Sequence, residues 1–262
     1  MPYFKTNRRN KIYYDLIENS ETSDTLIFLH GWAEHHKIWR EQVEYFKNSH
    51  QILTLDLRGF GLSSKPTYGY SLRHQAKQLH ALVKFLELND YWLIGHSLGG
   101  MITLKYCERH SNEMKGAVLI GTTSYLPLKL SVWRNLGSFF ISKTLKQIWQ
   151  KTLKSTRTEQ RRSLIQDLIQ DADSVPLYVS AACGIAVLNS NFKLKSITCP
   201  ILIIVGEKDI LTPVALSEKM HQKLPNSQLT MIQNTGHMSF IEKPEEINLK
   251  MTQFFSTIIN SK

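Results

Sequence analysis

Tyr91-Trp92-Leu93-Ile94-Gly95-His96-Ser97-Leu98-Gly99-Gly100 is the stretch whose reading decides the fold. It runs from an apolar strand straight into a helix expected from Leu98 to about Arg109, with a serine at the corner. So sharp a corner crowds the residues two before and two after the serine. Gly95 and Gly99 can sit there because they lack a Cβ. Ser97 is then left at the top of a sheet with its hydroxyl pointing away from the backbone.

Outward from this corner, short strands alternate with helices. Apolar runs at 25–29 and 116–121 predict strands buried in a parallel sheet, and further strands are expected at 51–57 and 201–205. A last strand is expected at 229–232, and two short ones at 4–6 and 11–16. Leu72, Ala76, Leu79, Val83 and Leu86 step by three and four, which predicts a helix capped by Ser71. Another helix is expected to begin at Pro213, and a closing one to run over 244–259. From 123 to 195 the rhythm stops, and the segment reads as helical and basic. This pattern predicts a doubly wound α/β fold with active residues at the carboxyl ends of the strands.

The chain has 262 residues, enough for one large domain, and 42% apolar with 21% charged residues excludes disorder. Cys107, Cys183 and Cys199 are odd in number, widely spaced and set in apolar segments, so they read as buried small hydrophobes. No apolar leader opens the sequence and no run nears the roughly 18 residues of a spanning helix, so a cytoplasmic protein is expected.

A serine hydroxyl needs a base, and the base needs a third group to orient it. Five motifs supply candidates in order: His30-Gly31, Asp56-x-Arg58-Gly59-x-Gly61, Gly95-x-Ser97-x-Gly99, Gly206-x-x-Asp209 and Gly236-His237. In these motifs the chain resembles the α/β-hydrolases. The resemblance implies a mostly parallel eight-stranded sheet as core (1–122 and 196–262) with a helical cap over it (123–195). It also implies the order serine, acid, histidine. Ser97 is then the nucleophile, Asp209 the acid with Glu207 the local rival, and His237 the base among ten histidines. Activity is expected to rise around the usual imidazole pKa of about 6.5. The Leu98 N–H and, by similarity of His30-Gly31-Trp32 to the family's segment, the Trp32 N–H would form the oxyanion hole. The Trp32 side chain and His96 are the candidate substrate contacts, and Asp56 to Ser63 is a loop-shaping segment.

Haloalkane dehalogenases and epoxide hydrolases of similar appearance carry aspartate at the corner. Serine here points to esters, thioesters, lactones or C–C bonds, by a carboxylesterase-type reaction with no cofactor. A ligand receptor on the same fold is the reading from another class. His35 and His36 lack the carboxylate spacing of a metal site, so no metal is expected.

The net charge is +10, and +8 of it lies between Lys129 and Arg162. Lys129, Arg134, Lys143, Lys146, Lys151, Lys154, Arg157, Arg161 and Arg162 face only Glu159. Three readings stand open: a solvated surface, attraction of an anionic substrate, or an interfacial cap in which Trp133, Phe139, Phe140 and Trp149 interleave with the lysines. The second includes an acyl group on an acidic acyl carrier protein, as similarity to the pimeloyl-carrier methyl esterases implies. No nucleic-acid motif is present.

Overall fold

In the computed structural model the described residues are 3–7, 10–125, 146–154, 158–172 and 174–259. Their strands are β1 (Tyr3–Lys5), β2 (Lys11–Ile17), β3 (Thr25–Leu29), β4 (Gln51–Leu55), β5 (Tyr91–His96), β6 (Gly116–Ile120), β7 (Ile201–Gly206) and β8 (Ser227–Ile232). They form one eight-stranded sheet in the order β1-β2-β4-β3-β5-β6-β7-β8. β1 and β2 pair antiparallel at one edge, and all pairs from β4 to β8 are parallel. β3, β5, β6 and β7 are buried along their whole length, because helices cover both faces of a parallel sheet.

The helix Leu72–Phe85 buries Leu72, Ala76, Leu79 and Val83 on one stripe, and the Ser71 hydroxyl caps it by accepting the His74 N–H. It packs beside the helix Leu98–His110. The closing helix Pro244–Ile259 buries Ile247, Met251, Phe254 and Phe255, with Phe255 at 4.6 Å from Trp92 between ring centroids. Several expected boundaries move by one or two residues; the strand expected at 51–57 ends at Leu55 and the last strand starts at Ser227. Pro213 is not the first helical residue but the cap before Val214–His221, with extended backbone at ψ 151°. Between β6 and β7 lie helices at 146–154, Glu159–Ala172 and Leu177–Leu188. Among the described residues no single helix is long and apolar enough to cross a membrane. The three cysteines are free and buried.

The strand order turns around β3 and β5. β4 lies on one side of β3, and β5 with everything after it lies on the other. Loops leaving the carboxyl ends of β3 and β5 therefore diverge.

Candidate active site

Ser97 follows β5 at the amino end of the helix Leu98–His110, with φ 48° and ψ −113°. A side-chain-bearing residue in this region costs roughly 1–3 kcal/mol and persists only where its surroundings hold it there. Here the Ser97 N–H donates to the Ile120 carbonyl at 3.0 Å. Its own carbonyl accepts from the Thr122 hydroxyl at 2.7 Å and the Met101 N–H at 3.1 Å. A Cβ on Gly95 would stand 2.6 Å from the Gly99 carbonyl oxygen, the crowding the motif predicts.

Asp209 lies just beyond β7. Its Oδ1 accepts the N–H groups of Leu211 (2.8 Å) and Thr212 (2.9 Å). Its Oδ2 accepts the Thr212 hydroxyl (2.7 Å) and His237 Nδ1 (2.8 Å). Four donors on one buried carboxylate fix its orientation. Glu207 instead is exposed and accepts the Asn234 N–H at 2.8 Å, so it is Asp209 that meets the imidazole.

His237 follows β8 and packs against Gly121 at the end of β6. With Nδ1 on a carboxylate, that nitrogen carries the proton. Nε2 is left as a lone pair, buried and without a hydrogen-bond partner. Burial pulls the His237 pKa down, but the Asp209 carboxylate, with Glu34 and Glu242 further off, outweighs it and raises the pKa above the ordinary 6.5. Burial likewise pushes Asp209 up, and His237 with the Thr212 donors more than reverses this, leaving it below the ordinary carboxylate range. The pH dependence read from sequence therefore moves upward.

Around the β3 loop, His30 is fully buried, and burial pushes its pKa down to about 4. Its Nε2 accepts the Leu57 N–H (2.9 Å), so Nδ1–H donates to the Gly31 carbonyl (2.7 Å). Trp32 comes next, 7% exposed, followed by Ala33 at φ 57°. Leu98 opens its helix, where no preceding turn offers a carbonyl to its N–H. These two residues stand at the ends of adjacent strands, β3 and β5.

His96 is fully buried, its Nδ1 lies 3.1 Å from Glu34 Oε2 and its Nε2 3.2 Å from the His237 carbonyl oxygen. It has no exposed surface, and both nitrogens face oxygen acceptors inside the protein.

Three residues of the site carried no sequence signal. Thr212 braces Asp209. Glu242 accepts the Gly236 N–H beside His237 at 3.1 Å. Glu34 is buried below His96. Each acts on a partner brought in by the fold.

Among the basic residues of 129–162, Arg161 is neutralised. It pairs with Glu41 at 3.0 Å and Glu245 at 2.6 Å, which ties its helix to the sheet's own helices. Trp149 is fully buried. Trp133, Phe139, Phe140, Lys129, Arg134, Lys143 and Arg157 lie outside the described residues.

His35 and His36 each face an aspartate, Asp171 at 3.3 Å and Asp56 at 2.8 Å. Among the described residues His80, His110 and Glu113 form the one group close enough to share a metal ion. It lies at the far end of the helix that starts beside Ser97, about 20 Å along at 1.5 Å per residue. Glu113 is already held by His110 (2.7 Å) and Lys84 (3.0 Å).

Comparison with known proteins bears on the fold. The family model described as alpha/beta hydrolase fold matches residues 24–244. The AB hydrolase superfamily protein YisY of Bacillus subtilis (strain 168) is 27% identical, over 96% of this chain and 98% of its own. A pimeloyl-[acyl-carrier protein] methyl ester esterase of Nitrosomonas europaea is 22% identical, over 88% of this chain and 95% of its own. A thermophilic esterase from Thermogutta terrifontis superposes with a TM-score of 0.81 over 98% of this chain and 97% of its own. At 21% identity that last likeness speaks for the fold. With a match running from before β3 to the start of the last helix, the chain belongs to the alpha/beta hydrolase fold family of enzymes.

Proposed function

We propose that the protein is a serine hydrolase that cleaves a carboxylic ester or thioester through an acyl-enzyme on Ser97. The observation that carries this is the buried Asp209–His237 pair, whose free Nε2 has no partner. Ser97 is held in a strained corner, and the ring of His96, the residue before it, packs 4.8 Å from that of His237 between centroids. His237 takes the Ser97 proton as the hydroxyl oxygen attacks the acyl carbon. The Trp32 and Leu98 N–H groups receive the oxyanion, helped by the helix dipole behind Leu98. Collapse expels the alcohol or thiol, which leaves with the proton from His237. Water then repeats the sequence on the acyl-enzyme and restores Ser97. Asp209 keeps the imidazole in the tautomer these steps require and stabilises its cationic form.

The helices between β6 and β7 would form the cap over this site. Their basic residues would favour an acyl ester bearing negative charge, either on the acyl group itself or on an acidic acyl carrier protein. Arg161 adds nothing to that field because two carboxylates already hold it.

A panel of p-nitrophenyl esters of varied acyl length and charge, run at low and high salt with wild type and Ser97→Ala, tests both statements. Turnover is expected to vanish in Ser97→Ala, and unchanged turnover refutes the serine. Preference for anionic acyl groups is expected at low salt and to fade at high salt, where charges are screened within ~3 Å at 1 M. A preference indifferent to salt removes the charge-steering part alone.

A further inference from the structure

Glu34 has no place in the reaction just described, yet it is among the most deeply buried charges of the chain. Its side chain is 1% exposed and that of His96, its partner, is 0% exposed. Oε2 accepts the Gly31 N–H at 2.5 Å and faces His96 Nδ1 at 3.1 Å. The other face of His96 reaches the His237 carbonyl oxygen at 3.2 Å. Both imidazole nitrogens therefore face acceptor oxygens. Burial pushes Glu34 up, and His96 with the Gly31 N–H overcomes this and keeps it below the ordinary carboxylate range.

The three partners of this pair come from three parts of the site. Gly31 precedes Trp32 in the loop after β3. His96 is the last residue of β5, next to Ser97. His237 sits in the loop after β8. Packing leaves no slack, since a Cβ on Gly31 would stand 2.8 Å from Glu34 Oε2 and 2.9 Å from His96 Nδ1. Glu34 Oε1, meanwhile, is buried without a partner. A buried, half-satisfied carboxylate is a poor device for stability, and an apolar pair of similar volume in place of both Glu34 and His96 would serve folding as well.

We propose that Glu34 is a positioning residue for the Ser97 reaction. It locks the Gly31–Trp32 backbone against the strand that carries the nucleophile and, through His96, against the loop that carries the base. This rests on the serine-hydrolase reading above. The charge-assisted bond to Gly31 sets the peptide plane from which the Trp32 N–H follows, and hydrogen bonds to an ionised acceptor are roughly twice as strong as neutral ones.

The test compares Glu34→Ala and Glu34→Gln with wild type by kcat, KM and inhibition by an alkyl boronic acid, which forms a tetrahedral adduct on a reactive serine. Glu34→Ala is expected to lower kcat and weaken the boronate at least about tenfold, with KM within about threefold, because oxyanion donors are misaimed while ground-state binding is kept. Glu34→Gln, which can still accept the Gly31 N–H, is expected to recover part of both losses. Should Glu34→Ala fail to fold, Glu34→Gln decides alone, by a kcat several-fold below wild type at unchanged KM. The proposal is overturned if kcat and boronate inhibition of the folded variants match wild type, or if the loss falls on KM. Ser97→Ala, run alongside, separates the two claims. Activity surviving in it sinks the serine reading, whereas an inactive Ser97→Ala with wild-type Glu34 variants sinks only the positioning role.

Discussion

Two carboxylate–imidazole pairs flank Ser97, and they are nearly the same object. Asp209–His237 and Glu34–His96 are both buried, with nitrogen–oxygen distances of 2.8 and 3.1 Å. What separates them is the second nitrogen. In His237 it is a free lone pair, whereas in His96 it is spent on a carbonyl. An imidazole beside a carboxylate is thus not by itself a base. On the proposed reading it becomes one when the fold leaves Nε2 unsatisfied, as in His237. The supporting cast differs too. Asp209 is saturated by four donors, and Glu34 keeps one oxygen bare.

Exchanging a ring nitrogen for an amide in each pair is the sharpest way to break this comparison. His237→Gln is expected to lower kcat by about 10⁴ or more, the order seen when a member of such a catalytic unit is removed. His96→Gln is expected to cost about a hundredfold or less, through loss of alignment. Equal losses in folded proteins, measured by steady-state kinetics, would erase the distinction.

A smaller effect tests the β3 loop. Trp32→Pro deletes the N–H, and loss of one oxyanion donor costs about 2.7–4 kcal/mol in the barrier. Trp32→Ala keeps the N–H and is expected to lose less. Equal kcat in the two variants would remove Trp32 from the oxyanion hole.

The smallest effect is a displacement along the pH axis. His237 must be unprotonated to accept the Ser97 proton, and its pKa is raised, chiefly by Asp209 against burial, so the rising limb of kcat/KM is expected above 6.5. The stability contributed by its charge is complete below the unfolded imidazole value and is lost as pH rises through the folded one. Asp209, with a lowered pKa, behaves oppositely. Its contribution is present above the ordinary carboxylate value and is lost as pH falls through the folded one. Activity therefore rises where the His237 contribution to stability is lost. A limb at or below 6.5 would contradict the electrostatics of the pair.

How much of this was written in the sequence follows from how each residue acts. Ser97, Asp209 and His237 sit at strand ends near glycines, and local spacing exposes them. The sheet was legible for a similar reason, since buried parallel strands are unbroken apolar runs. Glu34, Thr212 and Glu242 look like ordinary loop polars. They gain meaning only when Glu34 meets a histidine 62 residues away or when Glu242 folds back onto Gly236. For His96, adjacency to the nucleophile suggests contact, and its burial at the end of β5 shows only in the fold. In the segment after β6, a count of lysines and arginines does not reveal that Arg161 is already paired.

The most direct measurement is the intact mass and labelling rate of the protein with a fluorophosphonate probe. A single adduct on Ser97 is expected, absent in Ser97→Ala and slowed at least about a hundredfold in His237→Gln, since the serine would have lost its base. An adduct on another residue, or labelling of Ser97→Ala at the wild-type rate, would contradict the account.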